Sequence, residues 1–128
     1  MLNVLLWWVG GEDAKLSRPA MDAITVNLAE GEVVISSISA WEISALATKG
    51  KLALSMPISD WLSTVAAIER VRFCSVDNDI AIHSTDLPGE FHKDPADRMI
   101  VATARHLNVP LLTADKKILA YEHVKTIW

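Results

Sequence analysis

Apolar and polar positions along the chain follow two spacings, one typical of buried strands and the other of amphipathic helices. The β-branched run Glu32–Ser37 follows Gly31 and predicts a buried strand. Residues 38–49 come next, with a serine near their start and Gly50 directly after them, which signal the start and the end of a helix. Within residues 58–70 the apolar side chains recur at a helical period, which predicts a second helix.

The second half of the chain continues this alternation of strands and helices. The predicted strands are Val71–Val76, residues 109–115 and residues 123–128, and the predicted helices are Asp77–Leu87, Asp94–Leu107 and residues 116–121. Pro88 and Gly89 end the first of these helices. Strands that are separated by helices favour a parallel sheet covered by helices on both faces. We therefore predict a single α/β domain over residues 1–128.

The composition narrows the class of protein. A chain of 128 residues is long enough for one domain with a buried core, and its 51% apolar content argues against disorder. The longest apolar runs are far shorter than the ~20 residues of a membrane span, and the start of the chain lacks the features of a secretory signal. The single cysteine, Cys74, cannot form an internal disulfide, which fits the reducing cytoplasm. A net charge of −4 argues against nucleic-acid binding through a broad basic surface.

Two aspartates lie at the start of the helix that begins in the segment "HKDPADRMIVATARHL". Asp94 is followed by proline, which suits the first helical position, so Asp94 is the predicted N-cap. Asp97 falls at the third helical position, where the simplest interpretation is a variant of the capping box. It also lies at the head of the apolar face of this helix, which comprises Ile100, Val101, Ala104 and Leu107. Asp97 should therefore point toward one edge of the sheet.

Two further acids share this position relative to the predicted strands. Glu42 lies near the start of the helix that follows the first predicted strand, and Asp115 ends a later strand. Each alone could be a helix cap, but ligands of open α/β sheets bind where strands end and helices begin. Carboxylates gathered there would repel one another, and a divalent cation relieves that repulsion. Oxygen-rich sites of this kind suit Mg²⁺ or Mn²⁺, which can hydrolyse phosphodiesters.

Four segments, in order, resemble those of one protein family across almost the whole chain. They are "NVLLWWVGGEDAKLS", "VVISSISAWEISALATKGKLAL" with Glu42, "LPGEFHKDPADRMIVATARHLNVPLLTAD" with Asp97 and Asp115, and the tail "VKTIW". Together they resemble the PIN-domain ribonucleases, and specifically the VapC-type toxins of bacterial toxin–antitoxin pairs.

This resemblance implies a three-layer α/β/α fold and an endoribonuclease that depends on Mg²⁺ or Mn²⁺. It implies that Glu42, Asp97 and Asp115 hold the metal and carry catalysis, that Thr113 hydrogen-bonds a metal-bound water, that the chain forms a homodimer, and that a cognate antitoxin protein binds it. Structured RNA is the expected substrate. From the residues themselves, Arg98 is either a phosphate contact or an ordinary solvated charge. Trp7 and Trp8, on an apolar opening helix, are predicted core or dimer surface rather than a base-stacking platform.

The chain departs from the family at its start. The family has a further aspartate, in an Asp-Thr-Asn or Asp-Thr-His stretch that ends a central first strand. Asn3 matches the third residue of that stretch, and the aspartate's place falls on Met1, so the first strand is absent. We expect the natural protein to begin upstream of Met1 and to supply both the first strand and the aspartate. If it begins at Met1, we expect Leu2–Leu6 to fill the gap as a strand.

Three classes of function remain open at this point. The first is the metal-dependent ribonuclease toxin. The second is a catalytically impaired PIN domain that keeps an antitoxin-binding surface, which the missing aspartate favours and the three retained acids do not. The third is a receiver-like phosphoacceptor, whose fold also gathers acids at strand ends. It ranks lowest because the chain has neither an early acidic pair nor a lysine at the end of the last core strand.

Overall fold

Helices and short strands alternate along a computed structural model that describes the backbone of residues 2–128 and the side chains of residues 4–128. The helices are α1 (Leu2–Val9), α2 (Arg18–Glu30), α3 (Ser37–Thr48), α4 (Ile58–Ala66), α5 (Asn78–Thr85), α6 (Pro95–Leu107) and α7 (Lys116–Leu119). The strands are β1 (Val33–Ser36), β2 (Val71–Cys74), β3 (Leu111–Leu112) and β4 (Thr126–Ile127). A short 3-10 turn, Asp13–Lys15, joins α1 to α2. In the described range no helix is long and apolar enough to cross a membrane.

All strand pairing in the described residues is parallel, which confirms the predicted α/β class. β1 pairs with β2, from Val33 opposite Val71 to Ser36 opposite Cys74. β3 pairs with β4 over two residues. Over residues 2–128 these strands form two separate two-stranded sheets instead of one continuous sheet.

A groove lies between the two sheets. Its cavity of about 390 Å³ is lined by residues of α1, α2, β1, α6 and β3. On β1 the Val33 N–H donates to the Arg70 carbonyl at 2.8 Å, toward β2. Because backbone groups alternate in direction along a strand, Val34 directs its N–H and C=O the other way, into the groove. Among residues 2–128, no strand pairs with this edge of β1.

The expectation that Leu2–Leu6 would fill the gap as a strand is wrong, since α1 is helical from Leu2 onward. A helix satisfies its backbone hydrogen bonds locally, whereas a strand needs a partner aligned on each side. The end of α1 is fixed by the Gly10 N–H, which donates to Leu6, and by Gly11, whose φ is +74°. The position of the family aspartate, Met1, lies outside the described residues.

Several elements are shorter than the sequence pattern predicts. The helix predicted over residues 58–70 ends at Ala66, because the chain must turn there to enter β2, and Arg70 takes a left-handed φ of 68° in that turn. The strand predicted over residues 109–115 pairs only at Leu111 and Leu112. The apolar run around β3 marks burial, but only a paired backbone makes a strand.

Helix α6 is capped at both of its ends, and the Asp94 cap at its start was predicted. Asp94 caps its start, and Asn108 ends it in the left-handed conformation with φ 54°. Its buried residues are Asp97, Ile100, Val101, Ala102, Thr103 and Ala104. This buried face fixes where the Asp97 carboxylate sits.

The core divides into three apolar clusters that follow the split of the sheet. One lies around α5, α6 and α7 and contains Ile80, Val101 and Ile118. A second lies between β1, β2, α3 and α4, with Ile43 fully buried in it. The third joins α1 to α2. Trp7 and Trp8 pack against this third cluster, in agreement with a core role. Each cluster is smaller than a single continuous core would be.

Truncation of Ile43 should cost more stability than truncation of Ile24. Ile43 is fully buried away from the groove, whereas Ile24, 5% exposed, lines it and already lacks neighbours on one side. Within the ~2–5 kcal/mol range for Ile→Ala, we expect Ile43→Ala near the top and Ile24→Ala near the bottom. Urea unfolding measures both. Ile82→Ala, at a 68% exposed site, is the control and should change stability by less than about 0.5 kcal/mol. Equal losses at Ile24 and Ile43 would contradict an open groove.

Candidate active site

The two aspartates at the start of α6 have different environments. Asp94 Oδ1 accepts from the backbone N–H groups of Ala96 (2.9 Å) and Asp97 (3.5 Å), so Asp94 is the cap, as predicted. Asp97 takes no part in capping and is only 9% exposed. A buried carboxylate at the first turn of a helix gains from the helix dipole but loses its hydration. Asp97 is therefore held in a place that helix formation alone does not require.

Glu42 of α3 presents an unpartnered buried oxygen. Among the described residues, its Oε1 atom is buried and has no hydrogen-bond partner. Burial raises the pKa of the Glu42 carboxyl, and the negative charge of Asp97 raises it further. Glu42 and Asp97 therefore lie within electrostatic reach of each other, as their positions at the same sheet edge predict.

Asp97 is surrounded by several charges. Burial raises its pKa most, Asp94 raises it further, and Asp115 adds a smaller effect in the same direction. His92 acts in the opposite sense: its Nε2 atom lies 3.1 Å from Asp97 Oδ2. This contact does not have hydrogen-bond geometry, and Nε2 is otherwise buried without a partner. We interpret the pair as an electrostatic contact, because distance suffices for attraction while a hydrogen bond also needs direction.

Asp115 is the third predicted acid, and it caps α7. Its Oδ1 atom accepts from Lys117 N–H at 2.8 Å and from Ile118 N–H at 3.4 Å. Thr113 is fully buried, and its Oγ1 accepts from the Asp115 backbone N–H at 3.0 Å. Thr113 thus fixes the backbone that carries Asp115. Its predicted contact with a metal-bound water remains a prediction.

Arg98 is engaged with backbone carbonyls, and it is not a solvated charge. Its guanidinium donates to the carbonyls of Ser84 (2.8 Å), Phe91 (3.1 Å) and His92 (3.2 Å). It therefore ties the loop before α6 to the end of α5 and holds His92 beside Asp97. A contact with phosphate stays a prediction for Arg98.

The acids share one edge of the fold but do not yet form a complete coordination shell. Within residues 4–128, no three acidic, histidine or cysteine side chains are arranged to hold a metal ion as they stand. The convergence of Glu42, Asp97 and Asp115 on one ion therefore stays a prediction. Mg²⁺ commonly uses only one or two carboxylates, with water and substrate phosphate completing its shell. The unpartnered Glu42 oxygen beside Asp97 fits that demand, because a cation would supply the missing partner.

His92 is the residue of this site that the sequence did not reveal. It precedes Asp97 by five residues in a loop, and no ligand spacing connects it to the acids. Its place depends on the three carbonyl contacts of Arg98. Only the folded loop brings the imidazole to the carboxylate.

Comparison with known proteins places this arrangement in a family. The PIN domain profile matches residues 3–124. Ribonuclease VapC22 from Mycobacterium tuberculosis (strain ATCC 25618 / H37Rv) is 33% identical over 128 residues, which cover 98% of this chain and 94% of that protein.

Solved structures share the fold at lower sequence identity. VapBC2 from Rickettsia felis, bound to a DNA fragment from their promoter, aligns with a TM-score of 0.70 and 14% identity over 98% of this chain and 93% of that chain. A toxin–antitoxin complex from Klebsiella pneumoniae aligns with a TM-score of 0.63 and 21% identity over 96% and 91%. DNA-bound VapBC from Salmonella typhimurium aligns with a TM-score of 0.59 and 19% identity, over 83% of this chain and 80% of that chain. The chain is thus a PIN-domain protein of the VapC type.

Proposed function

We propose that this protein is a metal-dependent endoribonuclease that acts as the toxin of a toxin–antitoxin pair. The observation that carries the proposal is the buried, unpartnered Glu42 Oε1 beside the buried Asp97 carboxylate. The similarity to Ribonuclease VapC22 supports RNA as the substrate, and the similarity to solved toxin–antitoxin complexes supports an antitoxin partner. A homodimer and a cytoplasmic location complete the proposal.

Glu42, Asp97 and Asp115 would hold Mg²⁺ or Mn²⁺. A bound divalent cation supplies an activated water and stabilises the oxygen that leaves the phosphodiester. Glu42 and Asp97 fit a cation because burial raises the pKa of each carboxyl, and neighbouring negative charges raise it further: Asp97 acts on Glu42, and Asp94 acts on Asp97. A bound cation would offset this unfavourable burial of negative charge. Glu42 and Asp97 contribute buried oxygens, whereas Asp115 has one oxygen engaged in its cap.

The neighbouring side chains hold these acids in position. His92 lies against Asp97 and limits the directions in which that carboxylate can turn. Arg98 fixes the backbone of His92, and Thr113 fixes the backbone of Asp115. Such supporting contacts matter because ligands must be held closely to a productive geometry.

Removal of the Asp97 charge should abolish most RNA cleavage. Asp97→Asn keeps the shape of the side chain but weakens its hold on a cation. Because loss of a supporting contact at a metal site costs roughly 10- to 100-fold, loss of a ligand should cost about 100-fold or more in single-turnover rate. EDTA should stop cleavage, and Mg²⁺ or Mn²⁺ should restore it.

Asp79→Asn is the matched control for this experiment. Asp79 also lies in the first turn of a helix, α5, but it is exposed. Cleavage that survives EDTA or Asp97→Asn would refute the metal mechanism. A chain that binds its antitoxin but cleaves no RNA under any of these conditions would instead be the catalytically impaired PIN domain.

Neutralisation of Glu42 should stabilise the metal-free protein. Burial raises the folded-state pKa of Glu42 above its ordinary value of 4.5, so the folded state binds the proton more tightly than the unfolded state. The contribution of the Glu42 carboxyl to folded-state stability is therefore fully present below pH 4.5, and it is lost as pH rises through the folded-state pKa. At neutral pH, Glu42→Gln should therefore have a higher melting temperature in EDTA than the parent chain.

Addition of Mg²⁺ should raise the melting temperature of the parent chain more than that of Glu42→Gln. A ligand that binds only the folded state stabilises it by ~2.7 kcal/mol at 100 times its Kd, and the parent should gain more than Glu42→Gln. Glu69→Gln, at an exposed glutamate, is the control and should respond to Mg²⁺ as the parent does. A lower metal-free melting temperature for Glu42→Gln would show that the carboxylate has a partner after all.

A further inference from the structure

A tryptophan stands exposed beside the acid site. Trp41 of α3 has 63% of its surface exposed, although tryptophan usually buries most of its ring. It borders a shallow cavity of about 250 Å³, the Trp41 slot, whose other walls are Ile38, Asp94, Pro95 and Ala96. Apart from Asp94 the lining residues are apolar, so the slot suits a flat apolar group with a polar edge.

The slot is built from the two helix segments that carry the acids. Trp41 directly precedes Glu42 in α3, and Asp94–Ala96 directly precede Asp97 at the start of α6. These two helices pack against each other. A group bound in the slot is therefore a neighbour of whatever is bound at Glu42 and Asp97.

We propose that the Trp41 slot receives one unpaired RNA base, stacked on the indole and next to the nucleotide whose phosphate is cleaved. The proposal rests on the proposed ribonuclease function. Aromatic side chains that take part in RNA recognition stack on bases, and they need bases that are splayed out of a helix. The ring of Pro95 offers a second apolar wall, and the acids lie where the adjoining phosphate would reach.

The Asp94 carboxylate gives the slot a chemical preference. Its Oδ1 atom accepts the hydrogen bonds of the helix cap, and among the described residues Oδ2 accepts none. A carboxylate oxygen accepts hydrogen bonds, and Asp or Glu accepts from the cytosine amino group in known nucleic-acid readout. The slot should therefore favour a base with an exocyclic amino group, such as cytosine, over uracil.

A protein partner is the competing occupant of an exposed tryptophan. Aromatic anchors are common in protein interfaces. The position of the slot favours RNA, because it opens beside the acids and its one polar group is an acceptor suited to an amino edge.

The test compares three single-stranded 12-mers of equal charge: oligo(C), oligo(U) and an abasic ribose-phosphate strand. Binding to the full chain in Mg²⁺ is followed by fluorescence anisotropy at low temperature, before cleavage proceeds. We expect oligo(C) to bind roughly tenfold more tightly than the abasic strand, as stacking on an aromatic residue gives. Trp41→Ala should abolish this difference, and Trp41→Phe should retain most of it.

Two further variants locate the effect. Asp94→Asn still caps α6, since asparagine is an equally good cap, and it should reduce the preference for oligo(C) over oligo(U). Ile82→Ala removes an exposed apolar side chain on α5 outside the slot and should leave all three affinities unchanged. Melting temperatures of each variant show that the fold is intact.

The possible outcomes test the Trp41 slot and the proposed nuclease function separately. Base-dependent binding that needs Trp41, without any cleavage, would support the slot and overturn the nuclease function. Cleavage with no base-dependent binding, or base-dependent binding unchanged in Trp41→Ala, would overturn the slot and leave the nuclease standing. If Trp41→Ala weakens only antitoxin binding, the slot is a protein contact and the RNA proposal is wrong.

Discussion

The packing of α6 is the constraint on which the rest of the structure depends. Val101 and Ala102 are fully buried against the cluster around α5 and α7, while Ile100 and Ala104 line the groove between the two sheets. Burial of a large apolar side chain contributes ~1.5–3 kcal/mol, and this offsets the cost of a buried carboxylate one turn earlier in the helix. Asp97 is held in its place because the residues after it cannot leave the core.

The features of α6 could be predicted from sequence because each depends on residues a few positions apart. The Asp94–Pro95 cap, the apolar face and the start of that face at Asp97 are all local patterns. The alternation of strands and helices was also predictable, and it gave the α/β class. Strand lengths were not, because β3 has a paired backbone only where β4 reaches it. Likewise α4 ends early because the chain turns at Arg70, which no apolar period reveals.

The residues that surround the acids were harder to predict, because their positions depend on contacts between distant segments of the chain. Arg98 looks like an ordinary surface charge until its partners, the carbonyls of Ser84, Phe91 and His92, are known. His92 reaches Asp97 only through that arrangement. Trp41 lies in the middle of a helix that mixes apolar and polar residues, so its neighbours in sequence do not show that its side chain is exposed. The acids were visible in the sequence, but their supports were not.

The open edge of β1 also affects how copies of this chain meet one another. Val34 presents an N–H and a C=O that can template a strand from another molecule, and such edges are common starting points of intermolecular β-pairing. The strand begins beside a salt bridge of 3.0 Å between Glu32 and Arg72, and the net charge of −4 keeps molecules apart. High salt screens that repulsion while leaving the edge unchanged. Concentrated, high-salt solutions are therefore the conditions in which this protein is most exposed to self-association through β1.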